Sequence, residues 1–202
     1  MPQIESQLKP CLKCGFKFNC LCEETPYLES KVNIALLMHP NEIRRETNTG
    51  KLVSKSLPET LRFTWDRVTP PQELIQLINS NNFRPILLFP SEDSTILDDR
   101  VINKNEKPPL FIILDSTWQE ANKMIRKSPW LQTLTMMKLS GILNSDYSLR
   151  RNQDSGHLCT CETACELLRL SNEPINADRL DIFFHHYLAI FKADRSGHKQ
   201  MT

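Results

Sequence analysis

The sequence predicts an α/β domain built on a mostly parallel sheet covered on both faces. Three features carry that expectation: short, continuously apolar runs of strand length, segments of helical apolar spacing between them, and polar clusters wherever an apolar run ends. Continuously apolar strands belong to sheets buried on both sides, and alternation of strand with helix is what parallel pairing requires.

The elements follow in order. "KVNIALLMHP" (31–40) reads as a strand with Val32, Ile34, Leu36 and Leu37, ended by Pro40. "PPQELIQLINSN" (70–81) opens on prolines suited to a helix's first turn and carries Leu74, Ile75, Leu77 and Ile78 at helical spacing. "RPILLFPSEDS" (84–94) is a short apolar strand running into a polar turn, and "LFIILDSTW" (110–118) repeats that pattern. "QEANKMIRKS" (119–128) is a helix and "LTMMKLS" (134–140) a strand. "ETACELLRL" (162–170) and "NADRLDIFFHHYLAIFKADR" (176–195) are helices, the second with Leu180, Phe183, Phe184, Tyr187 and Phe191 along one face. "NKNEKPP" (103–109) reads as an exposed connection.

In an open parallel sheet, ligands gather at the carboxyl ends of the strands. Four polar clusters stand at such ends. "HPNEIRRETNTGKL" (39–52) holds His39, Glu42, Arg44, Arg45, Asn48, Thr49 and Gly50; "FPSEDS" (89–94) and "DSTW" (115–118) follow later strands; "DYSLRRNQDSGHLCTCE" (146–162) supplies Arg150, Arg151, Thr160 and Glu162. One polar turn is ordinary capping chemistry; four together mark a site. With five glycines the chain has neither G-x-G-x-x-G nor G-x-x-x-x-G-K-[ST], so a nucleotide held by its pyrophosphate is not expected. No G-x-S-x-G elbow nominates a serine nucleophile.

Four of the seven cysteines, Cys11, Cys14, Cys20 and Cys22, fall in "CLKCGFKFNCLC" at C-x2-C-x5-C-x-C spacing. Four thiolates so close can converge on one tetrahedral zinc ion, and a closed four-thiolate site is structural because no position remains for an activated water. The expected organisation is an N-terminal zinc knuckle over residues 1–30 and the α/β domain over 31–202. Cys159, Cys161 and Cys165 enter an amphipathic segment and read as buried thiols. The 25 Lys and Arg offset 24 Asp and Glu, so any phosphate-binding surface is local. Neither a signal peptide nor an apolar run of membrane-spanning length is visible, and a cytoplasmic address is the expectation.

"DSTW" fits a D-x-T-W signature. Together with "HPNE", "TNTG", "FPSED", "YSLRR", "TCETA" and the cysteine cluster, from Cys11 to about Leu188, it resembles the DTW-domain family. That resemblance implies a SPOUT-like fold with a knotted C-terminal region, S-adenosylmethionine as co-substrate, and transfer of its 3-amino-3-carboxypropyl group to N3 of a tRNA uridine. Cys159 and Cys161 around Thr160 depart mildly from the pattern.

Under that reading Asp115, Thr117 and Trp118 are the catalytic candidates. N3 of uridine is protonated at neutral pH, so a base is needed; Asp115 is the candidate, with a counter-ion role toward the donor's amino group, or a plain helix cap, as alternatives. Trp118 is either a core anchor or a pocket wall. Phe89, Pro90, Ser91, Glu92, Leu139, Ser140, Thr160 and Glu162 form the expected cofactor pocket, and His39, Arg44, Arg45, Asn48, Thr49, Lys51, Arg150 and Arg151 the expected tRNA contacts. His39 also reads as a satisfied strand-end histidine, and His185-His186 as structural. A monomer without a protein partner is expected. A methyltransferase of the same fold and a non-enzymatic zinc-containing RNA-binding protein remain as rival classes.

Overall fold

A computed structural model describes residues 9–92, 94–103, 107–140, 145, 147, 149 and 158–197 of the chain. Among these, the strands are β1 (Asn33–Met38), β2 (Leu61–Thr64), β3 (Arg84–Leu88), β4 (Thr95–Leu97), β5 (Pro109–Asp115) and β6 (Thr135–Leu139). They form one sheet in the order β2-β1-β5-β3-β6-β4 with every neighbouring pair parallel. The helices are α1 (Gly50–Ser56), α2 (Gln72–Asn79), α3 (Asp99–Asn103), α4 (Trp118–Lys127), α5 (Pro129–Gln132), α6 (Thr160–Leu170) and α7 (Pro174–Arg195), with a 3-10 helix at Pro40–Arg44.

The expected α/β class and the four central strands are found, and helices stand where the apolar spacing put them. Both edge strands escape the sequence reading. β2 buries only Phe63 and β4 only Leu97, so neither presents a continuous apolar run. The segment 39–52, which reads as a polar loop, instead contains the 3-10 helix and the start of α1, whose Leu52 and Val53 are buried. Within 103–109, residues 104–106 lie outside the described residues, and Pro109 already belongs to β5.

Alternation along the buried strands divides the core into two clusters. Phe111 and Ile113 of β5 join Leu52, Leu168, Phe184 and Tyr187 on the face of α1, α6 and α7. Leu110, Ile112 and Leu114 join Leu74, Ala121, Met124 and Leu131 on the face of α2, α4 and α5. The five α7 residues expected along one face are all buried. The cysteine-bearing segment docks on the first face, where Phe16 packs against Tyr187 and Phe191 and the backbone N–H groups of Lys17 and Phe18 donate to the Asp194 carboxylate.

α6 ends in a turn that reverses the chain into α7. Asn172 adopts φ 62°, its N–H donates to Arg169 O at 3.1 Å, and Glu173 N–H donates to Leu168 O at 2.9 Å. This is the six-to-one and five-to-two pairing of a Schellman motif, with asparagine tolerating the left-handed backbone and Pro174 opening the next helix. Among the described residues, no helix is long and apolar enough to cross a membrane.

Candidate active site

The odd-numbered side of β5 places Asp115 on the α1/α6 face at the strand's carboxyl end. Its carbonyl still accepts from His39 N–H at 3.0 Å, so the residue is held by the sheet itself. The side chain is 2% exposed. Oδ2 accepts from Asn48 Nδ2 at 2.7 Å, and Oδ1 accepts from Thr160 Oγ1 at 2.8 Å. Asn48 spends its other amide hydrogen on Glu42 Oε2 at 2.9 Å, while its Oδ1 accepts from Lys51 N–H at 2.9 Å and fixes the first turn of α1. A β-carbon at Gly50 would meet Asp115 Oδ2 at 2.4 Å, so glycine is what lets the carboxylate lie on the start of α1.

Residues 46–51, which bring these groups to Asp115, are clamped from the opposite side. Tyr147 Oη donates to Thr47 O at 2.5 Å, and Tyr187 Oη donates to Glu46 O at 3.0 Å. Burial, before neighbouring charges, pushes the Tyr187 phenol above its ordinary range, so it stays a donor. Thr49 Oγ1 accepts from Cys161 N–H at 3.3 Å, tying the same loop to α6.

A second network caps α4. Thr117 Oγ1 accepts from Glu120 N–H at 3.3 Å and Glu120 Oε2 accepts from Thr117 N–H at 3.0 Å, a reciprocal capping box. Arg45 grips the same carboxylate with two nitrogens at 2.6 and 2.9 Å and also reaches Glu42 Oε1. Asn41 Nδ2 donates to Glu120 Oε1 at 2.8 Å. Burial raises the Glu120 carboxyl, but Arg45, the Thr117 N–H and Asn41 together hold it well below the usual carboxylate range. The Arg45 guanidinium is held firmly charged, first by its bond to Glu120. His39 is buried and stacks on Trp65 with centroids 5.4 Å apart; burial lowers its pKa, so at neutral pH its Nδ1 accepts from Asn41 N–H at 3.3 Å.

Between these networks, at the carboxyl ends of β3, β5 and β6, lies a cavity of about 590 Å³. Asp115, Thr117, Trp118, Phe89, Pro90, Leu139 and Thr160 of the expected catalytic and cofactor sets line it, as do Arg45 and Thr49. The remaining expected residues stand back from the wall. Asn48 lies behind Asp115, and Lys51 donates from Nζ to Glu46 O at 2.5 Å over the Tyr187 ring. Glu162 caps α6, accepting from Cys159 N–H at 2.7 Å and Ser145 Oγ at 2.7 Å. The Ser91 hydroxyl is buried and has no hydrogen-bond partner among the described residues, whereas Arg44, Glu92 and Ser140 are exposed. Arg150 and Arg151 lie outside the described residues.

Glu120, Lys138 and Tyr147 belong to the site or its frame and were missed. For Glu120 a signal exists in the spacing Thr117-x-x-Glu120, a capping box written in sequence. Tyr147 opens the "YSLRR" block of the resemblance, whereas Lys138 has no such sign. Cys161 and Cys165 are buried, as expected of inert thiols, while Cys159 lies half-buried on the cavity wall. Burial, then the Glu162 charge, pushes its thiol well up and keeps it neutral.

Remote from the cavity, the sulfurs of Cys11, Cys14, Cys20 and Cys22 all lie within 4.8 Å of one another. Cys11 to Cys20, Cys11 to Cys22 and Cys14 to Cys20 are 3.5, 3.7 and 3.8 Å apart. A tetrahedral ion with metal–sulfur bonds of about 2.3 Å requires sulfur–sulfur edges of about 3.8 Å, so the cluster can hold one metal ion. Backbone N–H groups of Cys14 and then Lys13 pull the Cys11 thiol down to about 6. Desolvation and the crowding sulfurs push Cys22 up to about 12, the conflict that a bound cation resolves.

A family model described as the DTW domain matches residues 8–192. The chain is 28% identical over 156 residues to tRNA-uridine aminocarboxypropyltransferase 2 of Drosophila melanogaster, covering 74% of this chain and 61% of that protein. It is 24% identical over 181 residues to the Mus musculus protein of the same name, covering 84% and 59%. Against tRNA-uridine aminocarboxypropyltransferase A of Arabidopsis thaliana it is 27% identical over 177 residues, covering 74% and 67%. The chain thus spans about three-fifths of the length of the two animal relatives. No solved structure matches it.

Proposed function

The chain belongs to the DTW-domain family, and from that premise we propose that it transfers the 3-amino-3-carboxypropyl group of S-adenosylmethionine to N3 of a uridine in tRNA, releasing methylthioadenosine. The observation that carries this reading is the placement of Asp115: a buried carboxylate with a fixed donor on each oxygen, on the wall of a cavity large enough for a cofactor-sized ligand. Apolar walls from Leu88, Ile113, Met137 and Leu139 and the absence of a glycine-rich phosphate loop suit a donor that carries no phosphate.

When bound, S-adenosylmethionine would supply a sulfonium-activated methylene, whose carbon–sulfur bond breaks as the bond to N3 forms, methylthioadenosine being the leaving group and the N3 proton passing to Asp115 or to water. The protein selects this carbon over the methyl group by orientation. Asn48 and Thr160 each donate a hydrogen bond to the Asp115 carboxylate and fix its orientation, which suits a counter-ion role toward the donor's amino group. The second reading has the same carboxylate take the N3 proton; its burial favours that. Thr117 and Trp118 shape the turn around it. Pro90, Ser91 and Glu92, with Leu139, Ser140, Thr160 and Glu162, make up the donor side of the reading, and Phe89 stands at its edge against Trp118. Arg44, Arg150 and Arg151 make up the tRNA side, on a frame of His39, Arg45, Asn48, Thr49 and Lys51, whose side chains bond within the protein.

Zinc in the four-cysteine cluster, an N-terminal unit over 1–30 beside a catalytic domain over 31–202, a SPOUT-like knotted C-terminal region and a cytoplasmic monomer complete the proposal. The deciding experiment incubates purified protein with S-adenosylmethionine and unmodified tRNA, then weighs the digested nucleosides. Aminocarboxypropyluridine together with methylthioadenosine is expected. Methyluridine with S-adenosylhomocysteine would instead assign a methyltransferase, and neither donor binding nor adduct would assign an RNA-binding protein.

A further inference from the structure

The cavity has two unlike halves, and strand alternation separates them. On β6, Met137 and Leu139 pack with the α1/α6/α7 cluster and Met136 with the α2/α4/α5 cluster, so Lys138 stands on the α4 side. Phe89 and Trp118 pack on that same side, their rings 5.4 Å apart and tilted by 41°. Asp115, Thr160 and Tyr147 belong to the other half. Lys138 lines the cavity and, among the described residues, makes no hydrogen bond or ion pair. Arg45, the other cation on the wall among the described residues, is held by Glu42 and Glu120. The Ser116 hydroxyl, also on the wall, is buried without a partner among the described residues.

An aromatic pair beside an uncommitted ammonium is what a nucleotide requires, a platform for the base and a cation for its phosphate. We propose that the Phe89–Trp118–Lys138 half is a nucleotide subsite that stacks the target base of the tRNA and engages a flanking phosphate through Lys138. The inference rests on the transferase reading and deepens it. The donor carries no phosphate, and its single anion, the carboxylate, shares a carbon with the amino group. With Asp115 as counter-ion of that amino group, the carboxylate stands with Asp115 on the opposite face from Lys138. Two ligands thereby meet across the carboxyl end of β5, each recognised by its own chemistry.

Lys138→Gln tests the assignment, because the residue is partly exposed and its loss breaks no hydrogen bond or ion pair among the described residues. Affinity for unmodified tRNA is measured by fluorescence anisotropy over a series of salt concentrations, and donor affinity by calorimetry. The expected result is tRNA binding weakened about three- to tenfold, a log K against log salt slope shallower by about 0.7–0.9 for one lost phosphate contact, and unchanged donor affinity. Lys138→Arg should restore the slope. A weakened donor affinity would assign Lys138 to the carboxylate of the amino-acid arm and overturn the proposal, as would an unchanged salt slope. Failure of the transferase reading itself shows differently: the unsubstituted protein then neither binds donor nor modifies tRNA, whatever the slope does.

Discussion

Gly50 and Asp115 share a contact that no other residue at position 50 can make, since a β-carbon there would stand 2.4 Å from Oδ2 and 2.6 Å from the carboxyl carbon. The carboxylate has little room to retreat, being held by Asn48 and Thr160. Alanine in the first turn of a helix is ordinarily the better helix former by up to about 1 kcal/mol. Gly50→Ala is nonetheless expected to cost about 1–3 kcal/mol through overpacking and to lower activity at least tenfold. Thermal unfolding and the tRNA modification assay check both; a stabilised, active variant contradicts the close packing.

Asp115→Asn keeps the volume and removes the charge. An amide can accept through one oxygen only, so either Asn48 or Thr160 loses its acceptor; on the proposed counter-ion reading the donor's amino group loses its partner as well. Hydrogen bonds to charged groups contribute about 1.5–3 kcal/mol, so donor affinity should fall roughly 10- to 100-fold. Calorimetry separates the two roles of this residue. Unchanged donor affinity with a collapsed kcat would make Asp115 the base.

The contrast between Asp115 and Lys138 explains what was legible in the sequence. β5 announces itself by "LFIIL" and ends on an acid, so its tip can be read locally. β1 and β3 share this property over Ile34–Met38 and Ile86–Leu88, apolar runs buried on both faces, whereas β6 buries only Met137 and carries Lys138. β2 buries one residue of four, and Arg62 and Thr64 on its exposed positions look like loop. The frame of the site is harder still. Tyr147 reaches a carbonyl 100 residues away and Tyr187 one 141 residues away, pairings that only the folded sheet creates. Arg45 reads as a tRNA cation until the fold brings Glu120 to it across 75 residues.

Glu120 gives a pH-dependent prediction. Its folded-state pKa is depressed, so its stabilising contribution is fully present above the ordinary glutamate value of about 4.3 and is lost as pH falls from there toward the depressed value. Glu120→Gln removes the ion pair to Arg45 and weakens the capping box, at a cost of about 1–3 kcal/mol near neutrality. The melting temperature should drop by about 2–10 °C at pH 7. The gap to the unsubstituted protein should then narrow as pH is lowered below about 4. A gap that stays constant down to pH 3 would show that the charge of Glu120 contributes nothing.

Metal removal supplies the last prediction. Four sulfurs within 4.8 Å of one another, three of their pairs at 3.5–3.8 Å, stand where a tetrahedral ion would bind them, and few apolar groups of this segment hold it otherwise. Phe16 and Leu21 reach the main core, and Asp194 ties down two backbone N–H groups. Zinc is expected at one equivalent per chain by elemental analysis. A strong chelator should release it and lower the melting temperature by about 5–10 °C, since the ion's binding energy is part of the folding energy of the segment. Cys22→Ser should reproduce the loss without chelator. The cavity is built from other elements, so donor affinity at low temperature should survive in both cases; its disappearance with the metal would mean that the cluster takes part in forming the site.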